Sequence, residues 1–281
     1  MTIITRVKEM QAWSDEARRA GKRIGFVPTM GCLHEGHLSL VRVARAKADL
    51  VVVSIFVNPL QFGPTEDLAT YPRDFARDSA LLKKEGTDVV FHPDAKEMYP
   101  DGFVTSVQVE RLTEGLCGKS RPGHFRGVTT VVAKLFHAVK PHVAAFGAKD
   151  AQQAYVIRRM VRDLDFDLEV IVAPTVREPD GLALSSRNTH LNSVERAQAP
   201  VLFQALQRGA EMIAQGERNP QRVIAALVDM IRTTADRIDY VSIVDTATLS
   251  EVREIRGEVL IVLAAFFGHT RLIDNIVVKT A

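Results

Sequence analysis

His34 and His37 stand three residues apart within VPTMGCLHEGHLSLV, the stretch from Val27 to Val41. If a helix begins near His34, the two imidazoles share one face and can serve one anionic group in front of it. An apolar run, Ile24 to Val27, stops at Pro28; Gly31 and Gly36 follow, and a helical pattern runs from Gly36 to about Ala46. A strand, a glycine turn and a helix start aim backbone N–H groups and the positive end of the helix dipole at one point, which suits a phosphate. Three readings stand for this pair alone: a surface helix start, phosphate binding, and metal ligation with Cys32 as a third ligand.

A second strand-to-helix junction lies at Gly147, Ala148, Lys149 and Asp150, and Gln153 follows on the first turns of its helix. Ser185, Ser186 and Arg187 form a third polar cluster in REPDGLALSSRNTHL. Singly, Lys149 reads as a solvated lysine, the Ser-Ser-Arg run as a turn cap, and Gln61, Gln153, Arg121, Arg126 and Asp78 as surface groups. Jointly, two imidazoles, a lysine and a Ser-Ser-Arg loop suit a triphosphate. Asp78 or Asp150 would add a carboxylate for Mg²⁺, which needs only one or two beside the phosphates. No G-x-x-x-x-G-K-[ST], no G-x-G-x-x-G after a strand, no nucleophile elbow, kinase set or HExxH motif is present.

The elements that must position these groups follow an α/β order. Met10 to Ala20 reads as an amphipathic helix. LVVVSIFV after Asp49 is a β-branched run covered on both faces, as in a parallel sheet. A long loop from Asn58 to Arg73, a helix over Phe75 to Lys84 and a strand over Asp88 to His92 come next. Thr105 to Val109 reads as a strand, Leu116 to Val128 as a loop, Val128 to Val139 as a helix and Val143 to Phe146 as a strand. A helix from about Asp150 to Leu164 and a strand from Asp167 to Ala173 close the series. This is a doubly wound parallel sheet, whose ligands sit at the carboxyl ends of the strands, where Pro28 to His37 and Asn58 to Phe62 both lie. Composition shifts near Ala173 to Thr175. Helices from Ser193 to about Gln215 and from Pro220 to about Thr234, with strands at Tyr240 to Val244 and Val259 to Phe266, read as a smaller α+β domain. The domains are therefore 1–175 and 176–281.

With 281 residues the chain fits one large or two ordinary domains, and its formal charge of +2 gives no argument for nucleic acid. The two cysteines, Cys32 and Cys117, make no disulfide framework and fit a reducing cytoplasm. MTIITRVKEMQAW is no secretory signal, and the longest apolar run, Val259 to Phe267, is nine residues, too short to span a bilayer. No nucleic acid or membrane partner is expected.

PTMGCLHEGH, SIFVNPLQF, YPRD, SRPGHFRG, FGAKDAQQ, DGLALSSRN and RLIDN, in this order over nearly the whole chain, resemble the pantothenate synthetase (pantoate–β-alanine ligase) family. The HxGH element alone points only to the wider nucleotidylyl transferase superfamily. The resemblance implies a Rossmann-like domain with a smaller, mobile C-terminal domain, a homodimer, and a requirement for Mg²⁺. It implies that ATP and pantoate form pantoyl adenylate and pyrophosphate, and that β-alanine then displaces AMP to give pantothenate. Residue by residue, Met30, Gly31, Cys32, Leu33, His34, Glu35, Gly36 and His37 match an ATP-binding segment, with His37 the proton donor and His34 its partner. Gly147, Ala148, Lys149 and Asp150 match another. Val176, Leu184, Ser185, Ser186 and Arg187 match ATP contacts of the hinge and the SSRN loop. Gln61 matches a pantoate contact that also borders the β-alanine site, with Asn58 nearby, Gln153 matches a second pantoate contact, and Asp78 matches a carboxylate placed near the metal. Two positions depart from the family pattern: Ala148 replaces an acidic residue, and Cys117 stands where Glu is common.

Pantoate is already a carboxylate at neutral pH, so adenylation needs positioning and charge stabilisation more than a base. His34, His37, Lys149 and Arg187 form the catalytic set for that role, with Ser186 and Arg187 closing from the second domain. Closure would shield the adenylate from water. The rival readings are another HxGH-type nucleotidyltransferase and a non-catalytic nucleotide-binding module.

Overall fold

The computed structural model describes residues 1–280 except Thr65 and Asp67. Those two, within the expected loop from Asn58 to Arg73, and Ala281, the last residue of the expected second domain, lie outside the described residues. In chain order the elements are β1 (Thr2–Ile4), α1 (Val7–Arg19), β2 (Ile24–Thr29), α2 (Glu35–Arg45), β3 (Leu50–Ile55), α3 (Phe75–Lys84), β4 (Val89–Phe91) and α4 (Ala95–Met98). There follow α5 (Cys117–Ser120), α6 (His124–Val139), β5 (Val143–Gly147), α7 (Ala151–Asp163) and β6 (Glu169–Ala173). The remainder comprises α8 (Ser193–Gln198), α9 (Val201–Ala214), α10 (Pro220–Ile231), β7 (Arg237–Asp245), β8 (Glu258–Phe267) and β9 (Thr270–Lys279). No helix among the described residues is long and apolar enough to cross a membrane.

Contacts divide the chain into two compact units. The first is Met1–Glu110, Arg121–Gly147 and Gln153–Pro174; the second is Arg111–Ser120, Ala148–Gln152 and Thr175–Ala281. The second unit thus takes in two segments, one of them carrying Lys149, from the portion that the sequence places in residues 1–175.

In the first unit, the described strands form a six-stranded sheet in the order β1-β4-β3-β2-β5-β6, with every pairing parallel. Successive residues of a strand face opposite sides. Phe26, Val52 and Ala144 accordingly join one apolar cluster with Met10 of α1, Val128 and Val132 of α6, and Ile157 of α7. Val27, Val51, Val53 and Ala145 join another with Leu38 and Val41 of α2 and Leu82 of α3. Covering on both faces is why the β2 and β3 sequences are almost continuously apolar. The strand order reverses between β2 and β5, so their carboxyl ends, Thr29 and Gly147, open the crevice where such sheets bind ligands.

The second unit holds a three-stranded antiparallel sheet, β7-β8-β9. Leu202 and Leu206 of α9, Val223 and Leu227 of α10, and Ile261 and Leu263 of β8 form its core. β9 is absent from the sequence expectation because Asp274 and Asn275 of RLIDN interrupt its apolar pattern; both are buried.

Four further differences have local causes. α2 begins at Glu35, one residue earlier than expected, because His34 caps it. Thr105 to Val109 joins no strand pairing among the described residues. Instead the hydroxyls of Thr129 and Thr130 on α6 bond the carbonyl and N–H of Val107 at 2.6 and 3.0 Å. α6 begins at His124, inside the expected Leu116 to Val128 loop, with Gly123 at φ 82° at its start. The helix expected from Ser193 to Gln215 is split at Pro200, whose missing N–H and ring interrupt the ladder. Its first part is capped by Asn192, not Ser193, in a capping box with Glu195.

Candidate active site

The loop between β2 and α2 is built around two left-handed residues, Gly31 at φ 85° and Cys32 at φ 50°. Cys32 in that region is strained, and something must hold it there. Asp78, on α3 and 1% exposed, does so: its two carboxylate oxygens accept the N–H of Cys32 at 2.7 Å and of Leu33 at 2.8 Å. A Cβ on Gly31 would lie 3.0 Å from the same carboxylate, so the close approach adds to the demand for glycine.

At the helix start the two histidines bond reciprocally. The Gly36 N–H donates to His34 Nδ1 at 3.1 Å, and the His34 N–H donates to His37 Nδ1 at 3.3 Å. The ring centroids are 4.1 Å apart. A backbone N–H can only donate, so Nδ1 of each ring is the acceptor and its proton sits on Nε2. Each neutral ring therefore carries its proton on Nε2, at the start of α2 where the helix dipole is positive. Several other backbone N–H groups of this loop also have partners within the first unit. The Gly31 N–H goes to Thr29 Oγ1 at 3.2 Å, Cys32 and Leu33 to Asp78, and His37 to the His34 carbonyl at 2.8 Å. Glu35 turns away to Arg42, which also bonds Glu85, so its charge is compensated. Leu33 is fully buried.

Burial, and after it the negative charge of Asp78, pushes the Cys32 thiol above its ordinary range. The thiolate is the nucleophile, so Cys32 at pH 7 should alkylate with iodoacetamide more slowly than an unstructured cysteine peptide, by intact-mass readout.

Asn58, Gln61 and Met30 come together in the first unit. Asn58 is 1% exposed and donates from Nδ2 to the Gly127 carbonyl and to Gln61 Oε1, both at 3.1 Å. Gln61 Nε2 points at Met30 Sδ, 3.1 Å away. The turn Pro59–Gln61 lies directly on α6 at Gly127, where a Cβ would fall 2.2 Å from the Leu60 carbonyl oxygen and 2.6 Å from the Gln61 nitrogen. Gly127→Ala should therefore displace this turn, cost on the order of 1–3 kcal/mol in unfolding free energy, and weaken pantoate binding. Chemical denaturation and pantoate titration check both parts.

Sequence reading leaves Arg121 as a weak candidate and passes over His124 and Glu66. His124 donates Nδ1–H to the Gln61 carbonyl at 2.8 Å and accepts from Arg121 at 3.1 Å. Arg121 is paired with Glu66 at 2.5 Å. Burial raises the Glu66 carboxyl, but the bonded Arg121 guanidinium outweighs it and holds it below the usual range. The available signal is Gly123 in SRPGHFRG, a residue permitted at a helix N-cap.

In the second unit, Ala148–Asp150 forms a 3-10 turn ahead of α7. α7 begins at Ala151, directly after this turn. Asn275 Nδ2 donates to the carbonyls of Ala148 at 2.9 Å and Lys149 at 2.8 Å, fixing the turn that carries Lys149. Gln152 is a clamp: it accepts the Cys117 N–H at 3.0 Å and donates to the Leu112 and Gly115 carbonyls at 2.8 and 3.0 Å. Gln153, in the first unit, is half-buried. Val176 and Leu184 meet through a backbone bond of 3.0 Å. Between them Arg177 binds Asp274 in two bonds of 2.6 and 2.9 Å and stacks on Phe203. Ser185 caps the turn Ser186–His190 by accepting the Arg187 N–H at 3.3 Å. Cys117, the departure from the family pattern, is buried between Tyr240 Oη at 3.3 Å and Arg271 at 3.4 Å.

A family model described as pantoate-beta-alanine ligase matches residues 2–277. The chain belongs to the pantoate–β-alanine ligase family. A pantothenate synthetase of Heliobacterium modesticaldum is 58% identical over 282 residues, covering 99% of this chain and all of that one. The crystal structure of pantothenate synthetase from Thermus thermophilus superposes with a TM-score of 0.93 at 48% identity, covering 98% of this chain and 99% of the other. The pantoate-beta-alanine ligase of Francisella tularensis, complexed with beta-gamma ATP and beta-alanine, superposes with a TM-score of 0.83 at 35% identity, covering 98% and 97%. The expected α/β architecture, a parallel sheet with helices on both faces plus a smaller unit, is therefore that of solved pantothenate synthetases. Membership in the ligase family makes the chain an enzyme that joins pantoate to β-alanine.

Proposed function

We propose that this ligase uses ATP through residues of both units. The pantoate carboxylate attacks the α-phosphorus, the bond to pyrophosphate breaks, and pantoyl adenylate forms. The amine of β-alanine then attacks the acyl carbon, AMP leaves with the bridging oxygen, and the amine proton passes to solvent or the departing phosphate. The observation that supports this reading is the reciprocal bonding of His34 and His37 at the start of α2, in which Nδ1 of each ring is the acceptor. Imidazole N–H donors stabilise charge that grows on the α-phosphate and pyrophosphate. We assign His37 and His34, with Lys149 and Arg187, to that task.

Met30, Gly31, Cys32 and Gly36 border the nucleotide in this assignment, as do Gly147, Ala148, Val176, Leu184, Ser185 and Ser186. Gln61 and Gln153 hold pantoate, and Asn58 supports Gln61. Among the described residues no group of three His, Cys, Asp or Glu side chains is placed to hold a metal ion. Mg²⁺ needs only one or two protein carboxylates beside nucleotide phosphates. Asp78 would hold the ion, which would neutralise phosphate charge. A homodimer and a cytoplasmic location complete the proposal. Two free cysteines fit a reducing compartment.

Mass spectrometry of products tests the reading. AMP and pantothenate should form only with ATP, pantoate and β-alanine together. Transfer of AMP or CMP to a phosphorylated acceptor instead would favour another nucleotidyltransferase.

A further inference from the structure

Tyr99 belongs to none of the residues assigned above, yet its hydroxyl lies 2.7 Å from Asn58 Oδ1. The direction of each bond in this group is fixed by backbone atoms whose roles are unambiguous. The Leu60 N–H reaches Asn58 Oδ1 at 3.3 Å, so that atom is the oxygen. The Gly127 carbonyl receives Nδ2 at 3.1 Å, so that atom is the nitrogen. Tyr99 must then donate to Oδ1. Asn58 Nδ2, a donor only, must meet the oxygen end of the Gln61 amide, as it does at 3.1 Å. The NH₂ of Gln61 is left as the outer end of the chain of bonds, beside Met30 Sδ at 3.1 Å.

We propose that Tyr99 is a positioning residue which, acting through Asn58, fixes the Gln61 amide so that it presents N–H donors to the carboxylate or hydroxyls of the hydroxy acid. The inference rests on the assignment of Gln61 to pantoate. A Gln amide is nearly symmetric in shape, and an unheld side chain would present oxygen to the substrate as readily as nitrogen. Asn58 is 1% exposed, so without Tyr99 one side of its oxygen loses a partner that water reaches poorly. Burial pushes the Tyr99 phenol up, which keeps it a donor across the working pH range. Phe56 and Phe103 flank the ring at centroid distances of 6.1 and 5.0 Å, so Tyr99→Phe keeps that packing and removes only the hydroxyl.

The test is pantoate-dependent ATP–pyrophosphate exchange in wild type, Tyr99→Phe, Gln61→Ala and the double variant. Tyr99→Phe should raise KM for pantoate on the order of fivefold, the worth of one hydrogen bond, and leave KM for ATP within about twofold. In the Gln61→Ala background the same change should add little, because the amide it orients is gone. An equal rise in that background, or an equal rise in KM for ATP, would show a structural role and overturn the proposal. No rise in Tyr99→Phe would do the same while leaving Gln61 assigned. Unchanged pantoate KM in Gln61→Ala would remove that assignment and the inference together.

Discussion

Lys149→Ala should lower the rate of adenylate formation on the order of 100-fold or more, the cost of losing one preorganised donor to a charged transition state. Lys149 is not placed by a long helix. It sits in a one-turn 3-10 segment whose carbonyls at Ala148 and Lys149 are both held by Asn275. Its nearest carboxylate, Asp150, is 4.0 Å away and half-exposed, too loose a partner to fix the ammonium in stability terms. The variant should therefore keep its melting temperature while losing turnover, and single-turnover AMP formation separates the two. Near-normal adenylation in the folded variant would take Lys149 out of the catalytic set.

Asp78→Asn should cost on the order of 2–4 kcal/mol of unfolding free energy even without nucleotide or Mg²⁺. The wild-type carboxylate accepts two backbone N–H groups, one on each oxygen, at a site 1% exposed. An amide has one oxygen, so its NH₂ would face a buried N–H, and the left-handed pair Gly31 and Cys32 would lose one of its two ties. Activity should fall with it, because this loop sets the start of α2 and so the two imidazoles. Equilibrium denaturation in metal-free buffer isolates the anchor from any role toward a cation. An unchanged midpoint there would mean that Asp78 serves the ion alone.

These two residues also mark where sequence was and was not enough. The parallel sheet was legible because strands covered on both faces, such as Leu50–Ile55, must be apolar throughout. The helix start at His34 and His37 was legible from its glycines and period. The partners of its backbone donors were not: the N–H groups of Gly31, Cys32, Leu33 and His34 bond Thr29, Asp78 and His37. Sequence spacing cannot show that Asp78, 46 residues beyond Cys32, bonds its N–H. Lys149 was found as a residue type at a junction, but the turn that presents it depends on Asn275 from a strand that polar residues hid. Arg121 and His124 lay in a stretch read as loop because Gly123 starts the helix four residues earlier than its apolar pattern.

The central claim is that the pantoate carboxylate is activated by joining AMP. Pantoate labelled with ¹⁸O in its carboxylate, turned over with ATP and β-alanine, tests it most directly by mass analysis of the released nucleotide and pyrophosphate. One labelled oxygen should appear in AMP and none in pyrophosphate. Label in pyrophosphate or free phosphate, or unlabelled AMP alongside pantothenate, would contradict the adenylate route and the roles given to His34, His37 and Lys149.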